Sequence, residues 1–264
     1  MNKAFLVAKP ELTVISTPTS KHRDFMMLAV EAGSSVFVEK PWAESLDRFD
    51  EFKNIIKEKE LQFHISFQRR FHPLIYNTYQ AVSKGVIGNV MAASFTVISN
   101  VPFWHPYEDW KNLYAVRSEL GGGVLLTEIH EIDLVCWLFG LPNSVFCTGG
   151  SRSAEDISVE DTVQMLLLYS DFSVEITLCF MHQNTNREYS ILGQKGKISW
   201  SEKDDLLTVS SYGASDNIIS GDNFSMNDMF MQQANKFIND WSDEDTEKSL
   251  LSASSSLAIV HAAR

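Results

Sequence analysis

Between residues 12 and 66 the sequence alternates three short β-branched runs with two amphipathic stretches, a rhythm that restricts the fold to parallel strands joined by helical crossovers. The first run, Leu12-Thr13-Val14-Ile15-Ser16-Thr17, is mostly apolar and ends at Pro18. This is the pattern of a buried strand closed by a turn. Thr19 or Ser20 is placed to cap the helix that follows, Phe25, Leu28, Ala29 and Ala32 form its apolar stripe, and Gly33 suits the position just past its end. The second run, residues 35–40, stops at Pro41. Ser45 is the expected cap of a second helix with Leu46, Phe49, Phe52 and Ile56 on one face, and a third strand is expected over residues 61–66.

Beyond Gln68-Arg69-Arg70-Phe71-His72-Pro73 a short helix is expected to about Gly85, and the pattern then changes. Residues 90–99, 145–149, 161–169, 173–181, 188–192 and 206–211 read as strands, several with period-two alternation and turn-like connections, which indicates a mostly antiparallel sheet. An aromatic loop at residues 104–114 and a helix over residues 124–139, stopped by Gly140, separate the first two. A last helical region starts near Asn227, with Met229, Phe230, Ala234, Phe237 and Ile238 on one face. No repeat or linker is present. The expected fold class is α/β plus α+β: a truncated Rossmann-like parallel sheet over residues 1–70, joined to an open-faced, mostly antiparallel sheet domain over residues 71–264.

Composition narrows the partners. The formal net charge of -12 opposes binding to nucleic acid or to anionic membranes, which depend on clustered lysine and arginine. Cys136, Cys147 and Cys179 are isolated and read as reduced core thiols of a cytoplasmic protein. No apolar run is long enough for a signal peptide or a membrane span. No set of histidines has metal-ligand spacing, and His130-Glu131-Ile132-Asp133 is not H-E-x-x-H, so no metal is expected.

Two residues carry proton chemistry. Lys40 falls where a parallel strand delivers its last residues into a ligand crevice, and burial or a nearby positive charge there would bring its amine into the range where it exchanges protons. A surface lysine paired with Glu39 fits the same residues. His130 lies near the start of a helix with Asp133 one turn on, placed to orient the imidazole, and Gly121-Gly122-Gly123 before it permits close approach of backbone to a ligand. Together Lys40 and His130 are the two proton carriers that oxidation of an alcohol needs. In the loop, Trp104, His105 and Asp109 combine rings with polar groups, as a pocket for a polyhydroxylated ligand does; a loop simply packed on the sheet has the same composition. Arg69 and Arg70 could hold an anionic group on a substrate or neutralise nearby acids.

The segments Ile15-Ser16-Thr17-Pro18-Thr19-Ser20-Lys21-His22, Glu39-Lys40-Pro41, Phe67-Gln68-Arg69-Arg70-Phe71-His72-Pro73 and Leu120-Gly121-Gly122-Gly123 through His130-Glu131-Ile132-Asp133 resemble, in order and spacing, the Gfo/Idh/MocA oxidoreductases, named for glucose-fructose oxidoreductase and inositol dehydrogenase. The resemblance implies a Rossmann domain and an open-faced sheet domain. It also implies NAD or NADP carrying hydride to or from a hydroxyl-bearing carbon of a sugar, cyclitol or nucleotide sugar, and a homo-oligomer formed through the open sheet face. By the same resemblance Lys40 and His130 manage the hydroxyl proton, Thr17, Pro18, His22, Glu39 and Lys40 line the nicotinamide end, and Arg69, Thr127 and His130 face the substrate.

Two departures stand out. Many members carry an aspartate where this chain has Thr127, with Glu128 beside it. The chain also enters at about the fourth strand of the family's cofactor domain and contains no G-x-G-x-x-G, so the cradle for the pyrophosphate is missing. The expectation is a shortened or mis-started enzyme that binds dinucleotide weakly and whose first strand forms an exposed edge open to association. The competing expectation is a non-catalytic sugar-binding or scaffold homologue that has lost the cofactor.

Overall fold

The computed structural model describes residues 5, 7–221 and 224–264. The expected parallel unit forms from β1 (Leu12–Ile15), α1 (Thr19–Glu31), β2 (Ser35–Glu39), α2 (Phe49–Glu58) and β3 (Phe63–Ser66). The strands lie in the order β1-β2-β3, with Val14 opposite Phe37 and Val38 opposite Ile65. Among the described residues β1 pairs only with β2, and Val14 on it is 65% exposed. The opposite edge is closed differently. Thr246 Oγ1 and Ser249 Oγ accept hydrogen bonds from the backbone N–H groups of Phe63 (3.4 Å) and Ile65 (2.8 Å), so hydroxyls of the C-terminal helix replace a neighbouring strand.

Two local expectations are corrected. The buried face of α1 is Met26, Met27, Ala29 and Val30 rather than Phe25 and Leu28, and its N-cap is Pro18, with no side-chain cap. Ser45 accepts a bond from the Asp47 amide in the preceding turn, while α2 begins at Phe49 behind a left-handed Arg48.

α3 (Pro73–Ser83) leads into a sheet of eight strands in the order β11-β10-β9-β8-β4-β7-β6-β5. These are β4 (Val90–Asn100), β5 (Ser144–Gly150), β6 (Thr162–Leu168), β7 (Ser173–Cys179), β8 (Met181–Gly193), β9 (Gly196–Ser201), β10 (Leu206–Ser211) and β11 (Asn217–Ser220). Within this sheet, among the described residues, only the β4–β7 pairing is parallel. Period-two alternation buries Phe95, Val97, Ile176, Leu178, Tyr189 and Ile191, and leaves Met91, Phe146, Leu166 and Leu192 exposed. Cys147 is exposed on β5, which corrects its reading as a core thiol; Cys136 and Cys179 are half-buried.

The expected helix over residues 124–139 is two helices, α4 (Val124–Thr127) and α5 (Ile129–Phe139), broken at Glu128. The C-terminal region is likewise two, α6 (Met226–Asn239) and α7 (Asp243–Ala263), each opened by a serine–aspartate capping box. Along α6 the buried residues are Met229, Gln233 and Phe237, while Phe230 and Ile238 are exposed.

His64 on β3 is buried among Phe37, Phe237 and Trp241, and its Nε2 lies 3.2 Å from Gln233 Oε1. Burial pulls the imidazole down from 6.5 to about 4. The unfolded chain therefore takes up this proton first as pH falls, and stability is lost between about pH 6.5 and 4, by an amount on the order of 3 kcal/mol. Urea unfolding at a series of pH values should show a steeper acid loss for the wild type than for His64→Gln. Parallel curves would contradict the assignment.

Candidate active site

Residues that follow β2 and β3, Lys40 and Gln68, reach the break between α4 and α5. Lys40 follows β2 directly and precedes a cis peptide to Pro41; its Nζ donates to the carbonyl of Thr127 at 2.6 Å. That carbonyl is available because the helix is interrupted. In a continuous helix the Glu131 amide would occupy it, but here that amide turns to the Glu128 carbonyl at 3.4 Å. The side-chain hydroxyl of Thr127 is buried and has no partner.

His130 is buried in the first turn of α5. Its Nε2 lies 3.4 Å from the amide nitrogen of Gln68, its Nδ1 has no partner, and neither has Gln68 Oε1. Burial, with the nearby positive charges of Lys40, Arg69 and Arg187, holds the imidazole well below its ordinary range, so the ring is neutral at physiological pH. Asp133 does not support it, contrary to the sequence reading. Its carboxylate is gripped bidentately by Arg70, at 2.8 Å and 2.6 Å.

Arg69 is also committed within the protein, donating to Glu202 at 2.9 Å. It borders a buried ionic cluster that the sequence reading missed. Arg187 on β8 donates from Nη2 to Glu128 (2.7 Å) and from Nη1 to Glu131 (2.8 Å), while Ser99 at the end of β4 donates to the other oxygen of Glu128 at 3.1 Å. Glu128 is held ionised by Arg187, whereas burial pushes Glu131 up to about 7. No short-range motif announces this cluster, because its members come from four separate elements.

Thr17, Pro18 and His22 sit at the end of β1 and the start of α1. Both ring nitrogens of His22 meet backbone carbonyls, Pro41 at 2.8 Å and Thr17 at 2.7 Å, so the buried ring ties the two strand-end turns together and keeps no nitrogen for a ligand. Thr17 Oγ1 and Ser20 Oγ are buried without partners. Burial raises the Glu39 carboxyl, against the opposing pull of Lys40 and a hydrogen bond to Ser66.

The glycine run packs tightly here. A Cβ on Gly121 would lie 2.7 Å from Thr19 Cβ, and one on Gly122 would lie 2.5 Å and 2.6 Å from the carbonyl oxygens of Tyr114 and Ala115. The aromatic loop is a different case. Trp104 packs edge-on to Phe180, His105 bonds Glu108 at 2.6 Å, and Asp109 accepts from the Lys111 amide, so the polar groups of His105 and Asp109 are engaged inside their own loop. Among the described residues no group of histidine, cysteine, aspartate and glutamate is arranged to hold a metal ion, and no helix is long and apolar enough to cross a membrane.

Residues 2–67 match the family model described as an oxidoreductase family with an NAD-binding Rossmann fold, and residues 77–199 match that of the GFO/IDH/MocA C-terminal domain. The chain belongs to the Gfo/Idh/MocA oxidoreductase family. An uncharacterized oxidoreductase of Streptococcus pneumoniae is 27% identical over 200 residues, 75% of this chain and 50% of that protein. The scyllo-inositol 2-dehydrogenase (NAD(+)) of Bacillus subtilis is 30% identical over 132 residues, 49% of this chain and 35% of its own. The structure of levoglucosan dehydrogenase in complex with NADH and levoglucosan superposes with a TM-score of 0.82 at 17% identity, covering 96% of this chain and 78% of that one. The chain spans about half the length of the relatives it matches in sequence.

Proposed function

We propose that this chain carries the catalytic centre of an NAD(P)-dependent oxidoreductase acting on a hydroxyl-bearing carbon of a sugar, cyclitol or nucleotide sugar. The observation that carries the reading is the placement of the Lys40 ammonium on the Thr127 carbonyl, at the carboxyl end of a parallel strand and three residues before His130, whose imidazole lies within reach of the same positive charge. Ligands of open parallel sheets bind at this end.

The residues at the end of β1 fit the nicotinamide portion of a dinucleotide: Thr17 Oγ1 and Ser20 Oγ are buried polar atoms without partners, and Gly121 closes against Thr19 too tightly for any side chain. The sequence supplies no glycine-rich turn for the phosphates. When bound, the cofactor supplies the hydride acceptor or donor. In reduction the Lys40 ammonium gives a proton to the forming hydroxyl and becomes the neutral amine; in oxidation that neutral amine takes the proton from the substrate hydroxyl and becomes the ammonium. His130, neutral at physiological pH, orients that hydroxyl by hydrogen bonding. The Arg69–Glu202 and Arg187–Glu128 pairs keep buried charge balanced beside the site. The same reading divides the chain into a cofactor domain, residues 1–70, and a substrate and oligomerisation domain, residues 71–264, whose open sheet face would pair subunits.

The test is a titration of the purified chain with NADH and NADPH followed by tryptophan fluorescence, then a turnover screen over inositols, pyranoses and nucleotide sugars. Saturable binding with turnover of any of these supports the reading. A folded chain that binds a sugar but neither dinucleotide favours the non-catalytic homologue.

A further inference from the structure

The break at Glu128 has no local cause. Val124-Leu125-Leu126-Thr127-Glu128-Ile129-His130-Glu131 contains neither glycine nor proline, and the apolar pattern continues through it, so intrinsic preference favours an unbroken helix. Tertiary contacts supply the cause. Glu128 sits at φ -99° and ψ 31°, with one carboxylate oxygen on Arg187 Nη2 and the other on Ser99 Oγ. The second prong of the same guanidinium holds Glu131, and Arg187 Nε lies 3.9 Å from Glu202. Arg187 itself is fixed in the middle of the large sheet, opposite Val97 on β4.

We propose that Arg187 is a positioning residue for Lys40: by clamping Glu128 and Glu131 from β8 it interrupts the helix and leaves the Thr127 carbonyl to the lysine ammonium. The large sheet thus sets the geometry of a residue delivered by the small one. A lysine at position 187 could not do this, because a point charge cannot grip two carboxylates with a planar fork. The catalytic consequence rests on the function proposed above; the structural one does not.

Acetylation by an N-hydroxysuccinimide ester, read residue by residue by mass spectrometry, separates the two. In the wild type Lys40 should react slowly compared with Lys57, whose side chain is 69% exposed. Arg187→Lys removes the fork. Arg187→Met combined with Glu128→Gln and Glu131→Gln removes it without stranding a buried charge. In either variant Lys40 should react about tenfold faster while Lys57 is unchanged, the factor expected on losing one charge-assisted hydrogen bond. Should neither variant fold, Ser99→Ala, which withdraws only the lesser hold on Glu128, should raise Lys40 reactivity by a smaller factor, about twofold to threefold.

Unchanged Lys40 reactivity in a variant with native circular dichroism overturns the inference. Where turnover is measurable, kcat should fall in both variants with KM retained. A chain without turnover whose Lys40 still becomes reactive would defeat the proposed function and leave the positioning role standing.

Discussion

Replacing Lys40 by methionine is expected to lower kcat/KM by about a hundredfold to ten-thousandfold, the range associated with losing a general acid–base group. Methionine keeps most of the side-chain volume and removes only the ammonium. The fold should persist, because the change leaves one unpaired carbonyl, Thr127, at a cost of about 1 to 3 kcal/mol. His130→Gln should have a smaller effect on turnover. Its imidazole is already neutral, and an amide can still donate and accept a hydrogen bond toward a hydroxyl. Rates followed through NAD(P)H absorbance, with urea unfolding of the same samples, check both halves of the expectation. Turnover by Lys40→Met equal to that of the wild type would remove the lysine from the proton step and transfer the role to another group.

The small sheet was legible because its first two strands are continuous runs rich in β-branched and apolar residues that end just before a proline. β-branched runs ending at Pro18 and Pro41 place Thr17 and Lys40 at strand ends without further information. The face of α1 was not, since Met26-Met27 competes with Phe25 and Leu28 for the same stripe and only tertiary packing decides between them. Signals for other missed elements were present. Ser225 with Asp228, and Ser242 with Asp245, have the spacing of capping boxes and mark two C-terminal helices, and Ile198 and Trp200 alternate as a strand should. The interruption at Glu128 is of another kind. Its cause lies on β8, at Arg187, and no periodicity connects residues so far apart in the chain. The same holds for Asp133, whose helical spacing from His130 pointed to the imidazole but whose carboxylate is taken by an arginine outside the helix.

Arg70 should be among the most expensive side chains to remove. Its guanidinium grips Asp133 through Nε and Nη2 and stands over the rings of Phe67 (5.7 Å) and Trp137 (5.3 Å), joining the turn after β3 to α5. The Asp133 side chain is 1% exposed, so Arg70→Met leaves a buried carboxylate without a counter-ion, an effect of about 3 to 5 kcal/mol. That is a large share of the roughly 5 to 15 kcal/mol that stabilises an ordinary domain. The sign of the pH dependence follows from Asp133. Burial raises its carboxyl from 3.8 to about 6 even with Arg70 opposing, and loss of the arginine raises it further. The folded state then holds a proton that the unfolded state releases, so Arg70→Met should recover stability as pH falls from 7 towards 5, narrowing its gap to the wild type. Arg70→Met with Asp133→Asn should be more stable than Arg70→Met alone, because no charge remains to be buried. Urea unfolding of the four proteins at pH 7 and pH 5 gives the coupling between the two residues, expected at about 2 kcal/mol or more at pH 7 and smaller at pH 5. A coupling below about 0.5 kcal/mol at pH 7 would mean that the pair is solvated in solution and that the junction between β3 and α5 is held by the aromatic rings alone.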